Sequence, residues 1–214
     1  MKNQQSGFTL VEIAIVLVII GLLLGGVLKG QELINSAKVK SYAQDFRTIQ
    51  AALYGFQDRY KGIPGDLAGP KTKISSSAID AMPTTSVGNG QIDGAWDTGV
   101  GTDESCLAWQ QLRLAGFLAG STSVDCNPGA SYLQTNADGG RIGISSTMQI
   151  TGMTGSYNIC TTGVLGRIAK ALDTQLDDGN TTTGSFRVSD PAVNPATAVA
   201  SPVDSTAYLV CLAF

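Results

Sequence analysis

Hydrophobic and polar positions divide this chain sharply near residue 28. From Phe8 to Leu28 there are 21 residues and a single charge, Glu12. A bilayer core about 30 Å thick needs roughly 20 apolar residues in a helix, so the run is long enough to span one. Beyond it the pattern becomes amphipathic. Leu33, Ile34, Ala37, Tyr42, Phe46, Ile49, Leu53 and Phe56 recur at helical spacing, interrupted by Lys38, Lys40, Asp45, Arg47 and Asp58. The two halves together predict one long helix from Phe8 to about Tyr60, apolar all round at first and one-faced afterwards. Gly21, Gly25, Gly26 and Gly30 punctuate it. Each weakens a helix interior by about 1 kcal/mol relative to Ala, which allows local unwinding; close helix packing at Gly is the other reading. The helix should stop near Gly62, because Pro64 disfavours helix before it and Pro64-Gly65 is turn chemistry.

Downstream the pattern predicts a long irregular connection to about Asp103, then a short helix over 104–118. A loop over 121–140 precedes two strands, 141–150 and 156–162, joined by the Gly-containing link 151–155. Leu165, Ile168, Leu172 and Leu176 mark one face of a second helix over 164–176, which Asp177-Asp178-Gly179-Asn180 ends. A short strand over 185–189, a Pro/Ala-rich loop over 190–205 and an apolar terminal strand over 207–214 complete the chain. A long N-terminal hydrophobic stem helix packed on a small, mostly antiparallel sheet with extra short helices is an α+β layout.

The N-terminal segment has the wrong order for a secretory signal peptide, whose apolar segment of roughly 7–15 residues precedes a small-residue cleavage site. Here a short polar leader containing Lys2 ends at Gly7 and the apolar run follows. Glu12 is the anomaly, since an acid at the centre of a spanning helix is disfavoured by roughly 2.5–3.5 kcal/mol. Gly7-Phe8-Thr9-Leu10-Val11-Glu12 resembles the processing site of type IV pilins and type II secretion pseudopilins. An ordinary anchor with a chance Glu would not explain the ordered leader, Gly and Glu.

The resemblance implies cleavage after Gly7 by a prepilin peptidase, methylation of the new N-terminal Phe8, and a part for Glu12 in filament assembly. It implies an inner-membrane precursor, membrane-bound before assembly, that builds a helical filament with itself through an inner-membrane pilus or secretion machinery. The filament would then be extracellular or periplasmic. The expected division is a leader over 1–7, a stem helix over 8–60 with 8–28 as the transmembrane and filament-core part, and a head over 61–214. Related pilins often carry a helix-breaking Pro in the stem; this chain has none there. The order Tyr60-x-x-x-Pro64-Gly65-Asp66, Gly88-Asn89-Gly90, then Glu104, Trp109, Leu112 and Ala115-Gly116 resembles a subgroup of prepilin-like proteins. The expected role is a structural pilus subunit, with a type II pseudopilin or a minor tip adhesin as alternatives.

Composition narrows the chemistry. Fourteen Lys and Arg against 17 acids give −3, and loss of Lys2 with the leader gives −4. This mild acidity does not suggest a nucleic-acid binder. The chain has no His, so a Ser-His-Asp or Cys-His arrangement cannot be built from it, and an enzyme is not expected. No phosphate-loop signature is present. Cys106, Cys126, Cys160 and Cys211 all lie beyond the anchor, and an even count in an exported domain favours two disulfides over a metal site. The expected pairing is Cys106–Cys126, closing a moderate loop, and Cys160–Cys211, tying a central strand to the terminal strand. Three connectivities are open from sequence.

No organic cofactor is expected; Ca²⁺ is the one candidate ligand. Asp173 and Asp177 share a helix face, and Asp178 and Asn180 follow, offering hard oxygen donors. A solvated helix end with a Gly cap is the plainer reading. Yet two acids at a helix C-terminus oppose the macrodipole, which keeps the cation in play. Asn89, Gln91 and Asp93 alternate in a Gly-rich turn and raise the same question, with a plain turn favoured.

Overall fold

The structure is a computed structural model that describes residues 9–190 and 196–214. The expected leader, Met1 to Gly7, and Phe8 lie outside the described residues. The chain divides into two compact units, Met1–Lys38 and Val39–Phe214.

Helix α1 runs over Leu10–Tyr60 without interruption, through all four stem glycines. A Cβ placed on Gly21, Gly25, Gly26 or Gly30 would meet nothing within 4 Å. In the first unit the apolar side chains from Leu10 to Leu28 are exposed. Leu33, Ile34 and Ala37, expected on the packed face, are exposed too. The buried face of α1 begins later and consists of Tyr42, Ala43, Phe46, Ile49, Ala52, Leu53 and Phe56. Helical periodicity continues through Leu33 and Ile34, but the surface that covers the helix within the second unit starts at Val39.

The second unit holds the rest of the elements. They are α2 (Pro70–Lys73), α3 (Glu104–Leu114), β1 (Gln134–Thr135), β2 (Arg141–Ser145), β3 (Asn158–Leu165), α4 (Gly166–Leu176), β4 (Phe186–Ser189) and β5 (Ala207–Ala213). The strands form one antiparallel sheet in the order β1-β2-β3-β5-β4. The expected α+β fold is the observed one.

Alternation along the strands explains the apolar content of β5. Tyr208, Val210 and Leu212 face a core shared with α1, α3 and α4, containing Phe46, Phe56, Trp109, Ile168 and Phe186. Leu209, Cys211 and Ala213 face a second cluster with Trp96, Ile150, Met153 and Cys160. A strand covered on both faces has no polar side to show.

Several expected bounds shift, each for a local reason. The helix expected to reach residue 118 ends at Leu114, where Gly116 adopts φ 80°. The Phe117 N–H bonds to Leu112 O at 2.9 Å and the Gly116 N–H to Arg113 O at 3.0 Å, which is a Schellman cap. Phe117, freed from the helix, packs edge-on against Phe56 of α1. The strand expected over 141–150 stops at Ser145, whose hydroxyl accepts the Thr147 N–H. Ile150 instead bridges Ala196 outside the main sheet. Strand β3 continues to Leu165 through an irregularity between Thr161 and Val164, which takes the first residues expected for the following helix.

Candidate functional site

At the start of α1, Thr9 and Glu12 are bound to each other. The Glu12 Oε2 accepts the Thr9 N–H at 2.8 Å and the Thr9 hydroxyl at 2.7 Å, while the Glu12 N–H reaches Thr9 Oγ1 at 3.3 Å. This is a capping box, Thr at the N-cap and Glu three residues on, which satisfies amides that the first helical turn leaves open. Thr9-x-x-Glu12 is legible in the sequence as a capping signature but was not among the features read there. The carboxylate expected to act in assembly therefore also caps its own helix. The nearest cation for it would be the amine that cleavage after Gly7 creates on Phe8, a residue outside the described ones.

The pattern around Asp66 proves to be a scaffold lock. Asp66 is buried, and its carboxylate accepts the backbone N–H groups of Gly88, Asn89 at 3.2 Å and Gly90 at 2.8 Å. Successive amides converging on one anion form a nest. Next to it, Gly65 sits at φ 93° and donates its N–H to Gln111 Oε1 at 2.8 Å. A Cβ there would lie 2.3 Å from Glu104 O, so only glycine lets the turn approach α3 this closely. Glu104, buried at the start of α3, accepts the Asp93 N–H at 2.9 Å. Burial pushes the Glu104 carboxyl above its usual range; the Asp93 N–H opposes this, and the charges of Asp66 and Asp93 add to it. Together these contacts tie the irregular 62–103 connection to α3. Asn89 and Asp93, considered for Ca²⁺, bond to each other at 3.0 Å, and Asn89 Oδ1 takes the Gln91 N–H. That is turn geometry. An open cleft of about 420 Å³ beside the lock is lined by Gln57, Lys61, Ile63, Asp66, Leu67 and Lys73, among others.

All four cysteines are in disulfides, Cys106–Cys126 and Cys160–Cys211. The first ties α3 to the 121–133 loop, where buried Arg113 donates to Ser121 O at 2.9 Å and Tyr132 O at 2.8 Å. The second joins register partners on the adjacent strands β3 and β5.

At the C-terminal end of α4, Asp173, Asp177 and Asp178 converge. One carboxylate oxygen from each lies within 4.8 Å of the others. Asp173 is fully buried because it stands one turn after buried Ala169 on the sheet-facing side of α4. Neither of its carboxylate oxygens accepts a hydrogen bond of normal geometry. Burial pushes the Asp173 carboxyl up to about 6, helped by the charge of Asp178 and then Asp177, while the Gly179 amide offsets part of the effect. Asp177 is half-buried and accepts the Phe186 N–H at 2.8 Å. Asp178 is exposed and bonds the Thr183 hydroxyl at 2.7 Å and the Asn180 N–H at 2.8 Å, which hold its carboxyl below the usual range. Asn180 turns its Oδ1 to the Thr182 N–H and hydroxyl, at 3.2 and 2.8 Å. Gly184 was missed by the sequence reading. It sits at φ 70°, and a Cβ there would lie 2.0 Å from Asp177 Oδ2. No sequence spacing signals that approach.

Residues 2–28 match the family model of the prokaryotic N-terminal methylation motif. The chain carries the signature of type IV pilins and pseudopilins. The match covers the N-terminal segment, and proteins marked by this motif are structural subunits. Comparison of the chain with curated proteins and with solved structures gave no match. The motif and the exposed apolar half of α1, which is long and apolar enough to cross a membrane, fit a membrane-anchored precursor.

Proposed function

We propose that the chain is a structural subunit of a type IV pilus. Its precursor is inserted in the inner membrane, cut after Gly7 and methylated on Phe8. It is then built into a filament through the stem, with residues 61–214 displayed as the head. The observation that carries this reading is the methylation motif over residues 2–28, whose apolar turns from Leu10 to Leu28 are exposed. Such a surface is unfavourable in water and satisfied either in lipid or among other stems. In a filament, protein contact replaces lipid contact, and the open space beside the stem glycines permits close approach. The loop-rich head with two disulfides suits an oxidising exterior.

The test is purification of sheared surface filaments, identification of their main subunit by mass, and imaging. The proposal expects this chain as the main component. Its presence only as a trace subunit would favour a minor tip pilin acting as adhesin. Its absence from the surface, with a defect in secretion of exported enzymes on deletion, would favour a type II pseudopilin. Gly7→Glu should block cutting, because a bulky charged residue should not fit a site that accepts Gly; normal processing of that variant contradicts the cleavage assignment.

A further inference from the structure

We propose that Asp173, Asp177 and Asp178 form a Ca²⁺ site in the head, closing the turn between α4 and β4. The proposal stands on the head's own geometry and is independent of the filament reading above. Two observations meet here. One is the convergence of three carboxylates to within 4.8 Å. The other is Asp173, which is fully buried, places a carboxylate oxygen in that cluster and accepts no hydrogen bond of normal geometry on either oxygen. A carboxylate enclosed without a donor is strongly unfavourable, and buried charges are normally paired or bound to metal. Lys170, the cation nearest in sequence, pairs with Asp204 at 2.6 Å, and the guanidinium of Arg187 donates to Thr151 O at 2.8 Å and, weakly, to Gly184 O at 3.4 Å.

The irregular donor set favours the larger ion. Ca²⁺ binds oxygens at roughly 2.3–2.6 Å, so oxygens on opposite sides of it stand about 4.6–5.2 Å apart. Mg²⁺ at about 2.0–2.1 Å would require them within about 4.2 Å and a stricter octahedron. Three carboxylates in an irregular turn, two of them already oriented by backbone and hydroxyl donors, match the flexible oxygen shell of Ca²⁺. Water reaches the site from the exposed Asp178 side and completes the coordination. The acids at the C-terminal end of α4, unfavourable there by the macrodipole, are then explained as ligands. Gly184 keeps the space beside Asp177 clear.

The competing account is that Asp173 stays protonated and shares its proton with Asp177 or Asp178. Thermal unfolding and calorimetric titration of the chelator-treated full chain in detergent separate the two. With an affinity of roughly 10⁻⁴–10⁻³ M, as for extracellular Ca²⁺ modules, 10 mM CaCl₂ should raise Tm by about 3–6 °C or more. MgCl₂ at the same concentration should give a clearly smaller shift. Asp173→Asn should fold and lose the Ca²⁺-dependent shift. Asp178→Asn, an exposed substitution that spares the core, should weaken Ca²⁺ binding by about tenfold or more. Absence of a Ca²⁺-dependent shift and of binding heat in the unsubstituted chain would overturn the proposal. So would retention of full Ca²⁺ affinity by Asp178→Asn, whether or not Asp173→Asn folds. An equal Tm shift with Mg²⁺ would overturn the assignment to Ca²⁺.

Discussion

Replacing Asp66 by Asn tests the lock that holds the long connection to α3. The substitution keeps the size of the side chain but removes the charge and turns one acceptor into a donor. Three backbone amides, of Gly88, Asn89 and Gly90, now converge on that carboxylate. Hydrogen bonds to a charged group contribute roughly 1.5–3 kcal/mol each when fully enclosed. Gly88, Asn89 and Gly90 are exposed residues, so water can take over part of the loss. One amide can still bond the Asn oxygen, one faces a donor, and one is rehydrated. The expected destabilisation is therefore about 3 kcal/mol. For a chain of this size each kcal/mol lowers Tm by about 2–4 °C, which gives a drop of about 6–12 °C. Urea unfolding of the full chain in detergent measures the energy, and a thermal scan measures Tm. Asp58→Asn is the control: its side chain is 88% exposed in an ion pair with Lys61, and such pairs contribute little. A loss at Asp66→Asn no larger than at Asp58→Asn would refute the lock.

Further predictions concern other parts of the chain. Glu12→Gln preserves the reach of a capping box without the charge, whereas Glu12→Ala removes both. If assembly needs the charge, both variants stay in the membrane fraction and neither makes filaments; normal filament numbers from Glu12→Gln would leave Glu12 only its capping role. Glu12→Asp tests the reach. Glu104, whose folded pKa lies above the usual carboxylate value, contributes stability that is present at low pH and lost as pH rises through that raised value. Glu104→Gln should flatten the fall in stability that begins above about pH 4.3; an unchanged slope counts against the burial effect. Cys160→Ala with Cys211→Ala opens a loop of 51 residues and should lower stability by about 4 kcal/mol, against about 3 kcal/mol for the 20-residue Cys106–Cys126 loop. Denaturant unfolding of the two double variants compares them, and the reverse order would contradict the loop-length argument.

The fold was legible where one local pattern decides an element. The apolar run to Leu28 declares a helix by its length, and the stripe from Tyr42 to Phe56 and the face Ile168-Leu172 do so by spacing. Strand ends were less legible, because they depend on partners distant in sequence. Ile150 looks like strand by composition, yet it pairs with Ala196 and not with the main sheet. Leu33 and Ile34 continue the helical stripe, but no periodicity says where the covering surface begins. The candidate sites divide in the same way. Glu12 and the four cysteines stand out as residue types in unusual places. The burial of Asp173 follows from its position one turn past Ala169, which helical spacing can suggest, while its lack of a hydrogen bond of normal geometry is visible only once the neighbouring loop is in place. The Asp66 nest joins residues more than 20 positions apart, and its pattern could be noticed in the sequence but not explained there.

The central claim is that this chain is a processed filament subunit, and intact-mass analysis of the protein in purified filaments tests it most directly. The account predicts a chain of residues 8–214, starting at Phe8, with one added methyl group and both disulfides formed. Assembled protein that still begins at Met1, or that is cut elsewhere than after Gly7, would contradict it.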